Sequence, residues 1–190
     1  IFANFEYEKL RYRWRKSVAL ECNWKVALEA FNEGYHVQTT HTQLLPVHED
    51  QTLGVPQGRH GQYFLAPDGI SMGARSARLP PADVDYRDTV REFVRILERD
   101  LSALTSARVL REVDKLLDEL PEGTSQIEVL ARYGEIARRA AEDEGAGFPN
   151  LTPEEIARAG ADWHVFPNMV FLPAPDGMLA YRARPDRSDH

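Results

Sequence analysis

The strongest constraint on the fold is the helical periodicity of residues 83–146. Apolar side chains recur there at three- and four-residue intervals amid dense charge, which is typical of amphipathic helices. The flanking regions differ, because residues 10–20 alternate apolar and basic side chains and residues 165–184 hold two apolar runs around a Pro-Asp-Gly turn. The sequence therefore predicts an α+β fold, with an antiparallel sheet interrupted by a helical insertion at about residues 83–146.

Composition excludes several classes of protein. The 190 residues, 43% hydrophobic and 28% charged, suit one domain with a sizeable core. A net charge of −7 argues against nucleic-acid binding. The single cysteine, Cys22, excludes an internal disulfide and an iron–sulfur cluster held by this chain alone. No apolar run approaches the roughly 18–20 residues of a membrane span, so we expect a cytoplasmic protein without membrane partners.

Local signals predict the individual elements. They are a strand over residues 10–20, a helix from the N-cap Asn23 to about residues 37–40, a hairpin of 63–65 with 70–72 around a turn at 67–69, a helix beginning at Thr152, and strands over 165–172 and 178–184.

The predicted helix after Asn23 carries the residues that suggest chemistry. Glu29, Glu33 and His36 fall within about 60° of one another on a helix. On an unbroken helix His41 would be rotated about 140° from His36, so the two imidazoles could chelate a metal only if the helix ends or bulges between them. Gly34 inside the helix costs about 1 kcal/mol relative to alanine, which indicates a close approach of another group or a local distortion. From spacing alone, a solvated polar face and a site for iron, zinc or copper both remain open.

Residues 23–41 resemble the mononuclear-iron motif of the Rieske-type aromatic-ring-hydroxylating oxygenases, large (alpha) subunit. The Asn-Trp-Lys opening leads to Glu29-x3-Glu33-x2-His36-x4-His41, with a Gly-Tyr-His step before the first histidine. The sequence of residues 163–169, Trp-His-Val-Phe-Pro-Asn-Met, resembles a later strand of the same catalytic domain. Together the two matches bracket residues 10–184.

The resemblance implies a helix-grip (START-like) fold, in which an antiparallel sheet wraps around a long helix. His36 and His41 would be ligands of a non-haem Fe(II) in a two-histidine, one-carboxylate arrangement. Glu33 would be the electron-transfer bridge to a Rieske cluster, in place of the commoner aspartate. Val37 and Thr40 flank these ligands, and their positions fit either the lining of the substrate pocket or packing at the end of the helix. The implied reaction inserts oxygen from O2 into an aromatic or related apolar substrate, as a monooxygenase or a dioxygenase.

The resemblance also implies parts that this chain does not supply. We expect the Rieske two-iron, two-sulfur domain to precede Ile1, and the third iron ligand to follow residue 190. Asp176 is explained by its place in a predicted hairpin turn, and Asp186 and Asp189 belong to the tail after the last predicted strand, so we do not expect any of the three to be the ligand. Electrons would come from NAD(P)H through a reductase, with or without a ferredoxin, and the full-length protein would be a homotrimer. We therefore expect the chain alone to be inactive.

Two other interpretations of the same residues stay open. One is a helix-grip domain that binds an apolar ligand without a metal. The other is a zinc hydrolase that uses His36, His41 and a carboxylate such as Glu33.

Overall fold

The computed structural model describes residues 1–65 and 70–185, and in them a five-stranded antiparallel sheet. Its strands lie side by side in chain order: β1 (Thr52–Gln57), β2 (His60–Leu65), β3 (Asp162–Val165), β4 (Met169–Ala174) and β5 (Gly177–Arg182). The connection from β2 to β3 carries most of the helical residues. The mixed α+β architecture is thus confirmed, while the wrapping of a sheet around a long helix stays a prediction.

The helices of this connection enclose a core of their own. They are α3 (Tyr86–Ile96), which a π-helical turn (Leu97–Leu101) continues, α4 (Ala107–Glu112), α5 (Lys115–Glu119) and α6 (Gln126–Asp143), followed by α7 (Pro153–Ala159). Buried apolar side chains fill the space between them: Val90, Val94, Val109, Val113, Leu116, Val129, Ile136 and Ala137. Burying a side chain of this size stabilises a fold by about 1.5–3 kcal/mol, so the three- and four-residue periodicity has a direct energetic reason.

The predicted strand over residues 10–20 is wrong. These residues are all described, and they form neither helix nor strand. The side chains of Tyr12, Val18 and Leu20 are exposed. Arg13 donates to Glu98 at 2.7 Å and the Trp14 indole donates to the Ser102 carbonyl at 2.9 Å, so the segment rests on the π-helical turn instead of the sheet. Alternation produces a strand only where a neighbouring strand pairs with the backbone.

The predicted hairpin is also wrong in its pairing. Residues 63–65 belong to β2, which pairs with β1 instead of residues 70–72. Met72 makes only an isolated bridge to His48, and the predicted turn at 67–69 lies outside the described residues. The sequence did not predict β1, because its residues, Thr-Leu-Gly-Val-Pro-Gln, include a glycine and a proline, which weaken strand propensity.

The C-terminal elements are closer to prediction. Thr152 caps α7 in a capping box with Glu155, and a turn at residues 175–176 joins β4 to β5. The predicted strand over 165–172 is in fact two strands, because the chain turns between Val165 and Met169.

The two faces of the sheet are covered by different segments. On one face, the Phe2 ring packs edge-on against Trp163 and Phe171, at centroid distances of 5.5 and 5.2 Å. On the other face, Phe31 packs on Tyr181 at 4.3 Å. The motif segment therefore packs on the sheet face that carries Tyr181, opposite the face that Phe2 covers. No helix among residues 1–65 and 70–185 combines the length and apolar character that a membrane crossing requires.

Candidate metal centre

The motif segment is a broken helix. Asn23 caps α1 (Trp24–Glu29) as predicted, and its side chain accepts from the Lys25 N–H at 2.9 Å. The helix ends at Glu29, however, and a second short helix, α2 (Val37–Thr40), follows after a turn. The prediction that Glu29, Glu33 and His36 share one helix face is therefore wrong.

Gly34 lies in the turn between the two helices, where another part of the chain comes very close. A Cβ at this position would lie 2.5 Å from the Asp50 carbonyl oxygen and 2.7 Å from Thr52 Cγ2. Only glycine leaves room for this contact. The close approach that the sequence indicated is confirmed, and it seats the turn against the start of β1.

The two histidines lie at opposite ends of the short helix α2. His36 directly precedes α2 and His41 directly follows it. Their ring centroids lie 5.3 Å apart, with the ring planes at 78° to one another. The condition for chelation, that the helix end or bulge between the two histidines, is met because α2 ends at Thr40 and the backbone of His41 is no longer helical.

Glu33 holds His36 with both of its carboxylate oxygens. Oε1 lies 2.5 Å from His36 Nδ1, and Oε2 accepts from the His36 backbone N–H at 3.0 Å. With Nδ1–H donating to the carboxylate, Nε2 carries the free lone pair of the neutral ring. A carboxylate in this position fixes the tautomer of a ligating histidine and raises its basicity.

The surroundings of His41 favour its neutral form. Burial lowers the pKa of His41, and the neighbouring His36 lowers it further, while the charge of Asp100 acts in the opposite direction. Neutral imidazole is the form that binds a metal, so the ring is ready to act as a ligand at pH 7. Asp100 lies on the π-helical turn, and no motif in the sequence pointed to it.

The positions of the other predicted site residues do not by themselves assign them a role. Val37 and Thr40 lie on α2 between the histidines, Val37 half-buried and Thr40 exposed, and their role in a substrate pocket stays a prediction. Asp176 lies in the β4–β5 turn, where burial raises its pKa. Asp186 and Asp189 lie outside the described residues.

The donor set is that of a borderline first-row metal. Two imidazoles, one of them held by a carboxylate, suit iron, zinc or copper better than calcium or magnesium. Within residues 1–65 and 70–185, no three histidine, cysteine or acidic side chains are grouped so that they could hold a metal ion. The pair therefore fits the histidine part of a mononuclear site.

A buried carboxyl group lies on the sheet face that the motif segment covers. Asp162 pairs with Tyr63 across β2 and β3, so both side chains point to the same face. Burial raises the pKa of Asp162 to about 8 and that of Tyr63 to about 12, so both are protonated at pH 7. His164 lies on the same face, and its Nδ1 is 3.2 Å from the Asn32 amide nitrogen. Sequence reasoning missed Asp162 and Tyr63, because neither belongs to a recognisable spacing.

Comparison with known protein families finds a match that covers most of the chain. The model of the ring hydroxylating alpha subunit (catalytic domain) matches residues 7–190. The matched range includes both the segment 23–41 and the strand region 163–169. Comparisons with curated proteins and with solved structures found no significant match.

Proposed function

This chain belongs to the ring-hydroxylating alpha subunit family, as its catalytic domain, and we propose that it inserts oxygen from O2 into an aromatic or related apolar substrate. The observation that carries this proposal is the grouping of Glu33, His36 and His41 around the short helix α2. Family membership supports the reaction class, and the proximity of these three side chains supports their assignment to the site.

His36 and His41 would hold a mononuclear Fe(II), together with a carboxylate as the third ligand. Iron bound there would supply the redox chemistry that activates O2. The contribution of this chain is to present two imidazoles, to direct the Nδ1–H of His36 to the Glu33 carboxylate and to leave Nε2 free for the metal. Val37 and Thr40, between the two ligands, would border the substrate.

Glu33 would also link the iron site to its electron source. We propose that Glu33 would lie on the path by which electrons from NAD(P)H, passed on through a reductase and a Rieske two-iron, two-sulfur cluster, would reach His36. The support is positional: the Glu33 side chain is 17% exposed and directly bonded to one of the two candidate ligands. The homotrimer and the ferredoxin belong to the same proposal.

The zinc-hydrolase interpretation is less well supported by this geometry. It needs Glu33 either as a metal ligand or as a base for a metal-bound water. Both oxygens of Glu33 are instead hydrogen-bonded to His36, one to the ring and one to the backbone. This arrangement favours a carboxylate that orients a ligand.

Substitutions of Glu33 test the proposal. In the protein produced from its complete gene, Glu33→Gln removes the charge that raises the basicity of His36, so we expect Fe(II) affinity to fall about 10–100-fold. Glu33→Asp keeps the charge and should retain most of the affinity. Competition with a chromophoric chelator measures both constants.

The matched control is Glu21→Gln, which neutralises an exposed carboxylate just before α1 and should leave the affinity unchanged. Equal Fe(II) affinity in the wild type and in Glu33→Gln would contradict the assigned role of Glu33.

A further inference from the structure

Asp50 lies outside the motif and is joined to the motif segment in two ways, directly through its backbone carbonyl and indirectly through Arg78. We propose that Asp50 and Arg78 are positioning residues, which together fix α2 and with it the separation of His36 and His41. The inference rests on the proposed function, because it concerns the metal that these histidines would hold. It adds two residues that no sequence motif pointed to.

The first point of contact is the backbone of Asp50. Its carbonyl oxygen is the atom against which Gly34 packs, and Thr52, two residues later, contacts Gly34 with its side chain. The turn that contains Glu33 and Gly34 therefore rests on the chain just before β1. This contact fixes the start of α2.

The second point of contact begins at the carboxylate of Asp50, which is fully buried. Arg78 Nε donates to Oδ2 at 2.7 Å, and the Ser76 hydroxyl donates to Oδ1. Burial alone would raise the pKa of Asp50, but the hydrogen bonds from Ser76 and Arg78 outweigh it and hold the pKa below its ordinary value. A buried, charged carboxylate with both oxygens hydrogen-bonded holds the guanidinium in a fixed position.

Arg78 carries the contact onward to α2. Gln38 lies on α2 between the two histidines, and with its amide oxygen turned to Arg78 it accepts from Nε at 3.0 Å and from Nη2 at 3.3 Å. One planar guanidinium thus joins the buried carboxylate to the helix that separates the candidate ligands. Through it, Asp50 holds α2 itself as well as the turn before it.

The loop that carries Arg78 is itself fixed to the chain on the other side. The Ser76 N–H donates to the Leu45 carbonyl at 2.8 Å, and the Gly73 N–H donates to the Val47 carbonyl at 2.9 Å. The Ala77 N–H donates to the Glu49 carboxylate at 3.0 Å. The loop is therefore held in place by three hydrogen bonds, and Arg78 extends from it, as a positioning residue must.

The consequence concerns metal affinity. Ligand geometry has to be held to within about 0.5 Å for tight binding, and each histidine borders one end of a four-residue helix. If α2 loses its tie to Arg78, it can rotate or shift, and the two imidazoles then spend part of their time too far apart. Binding should weaken, and the coordination geometry should become less uniform.

The experiment uses Co(II) as a spectroscopic probe of the protein produced from its complete gene. We expect Arg78→Ala and Gln38→Ala each to raise the Kd for Co(II) about 10-fold and to broaden the visible ligand-field bands. The double variant should be no worse than either single one, because both remove the same contact. Gln38→Glu keeps an acceptor for Arg78 and should stay within about twofold of the wild type.

The control is Arg75→Ala in the same loop, where the guanidinium donates to the Pro80 carbonyl, and it should leave the Kd and the bands unchanged. If the wild type binds Co(II) and both single variants bind it with unchanged Kd and bands, the positioning role is refuted while the metal site stands. If the wild type does not bind Co(II), the proposed function itself fails. Should Arg78→Ala not fold, Gln38→Ala, on a short helix and only half-buried, decides the question.

Discussion

Replacing His36 or His41 with alanine is expected to abolish stoichiometric Fe(II) binding. Each change removes one of the two imidazoles whose rings lie 5.3 Å apart, so the loss of affinity should exceed the roughly 10–100-fold cost of losing an outer-shell partner. Oxygenation of any substrate should be lost with it. Iron content after anaerobic reconstitution and desalting measures the effect directly.

The matched control is His60→Ala, because His60 lies on β2 and its ring accepts from the Phe166 backbone N–H. This variant should retain the iron content of the wild type. If His36→Ala and His41→Ala both keep stoichiometric iron while remaining folded, these residues are not the ligands, and the proposed site must be placed elsewhere.

Gly34→Ala is expected to destabilise the protein by about 3 kcal/mol, at the upper end of the cost of overpacking. The added Cβ would lie 2.5 Å from a backbone carbonyl oxygen, which cannot rotate away as a flexible side chain could. Relief requires the turn to move away from Asp50, and this displacement also shifts α2. Weaker iron binding should therefore accompany the loss of stability, which urea denaturation measures.

Gly134→Ala provides the comparison within the same chain. Gly134 lies inside α6, and a Cβ added there would meet no atom of a neighbouring segment within 4 Å in the described part of the chain. Alanine at this position should therefore stabilise the helix by about 0.5–1 kcal/mol. A Gly34→Ala variant as stable as the wild type would show that the contact with Asp50 is not close in solution.

Much of what the sequence predicted correctly depends on local interactions. The caps at Asn23 and Thr152 and the helical periodicity of residues 83–146 are set by neighbours within a few positions. The contact of Glu33 with His36 is local too, since the two are three residues apart, although the single helix on which the sequence placed them does not form. These features were open to prediction because each can be evaluated without knowing the rest of the fold.

The remaining features depend on long-range contacts. The helix ends at Glu29, and the turn after it packs Gly34 against Asp50, a partner that lies sixteen positions further along the chain. β1 was missed because its Gly and Pro weaken the strand signal, and pairing with β2 overrides it. Residues 10–20 show the reverse case, in which a strand-like pattern has no strand beside it among the described residues.

Anomalous diffraction at the iron edge, from crystals of the Fe(II)-loaded protein, tests most directly whether His36 and His41 are the iron ligands. We expect one strong peak within bonding distance of both His36 Nε2 and a ring nitrogen of His41, with Glu33 still bonded to His36 Nδ1. A peak that contacts Glu33 directly and not His36, or an iron bound at histidines other than this pair, would contradict it.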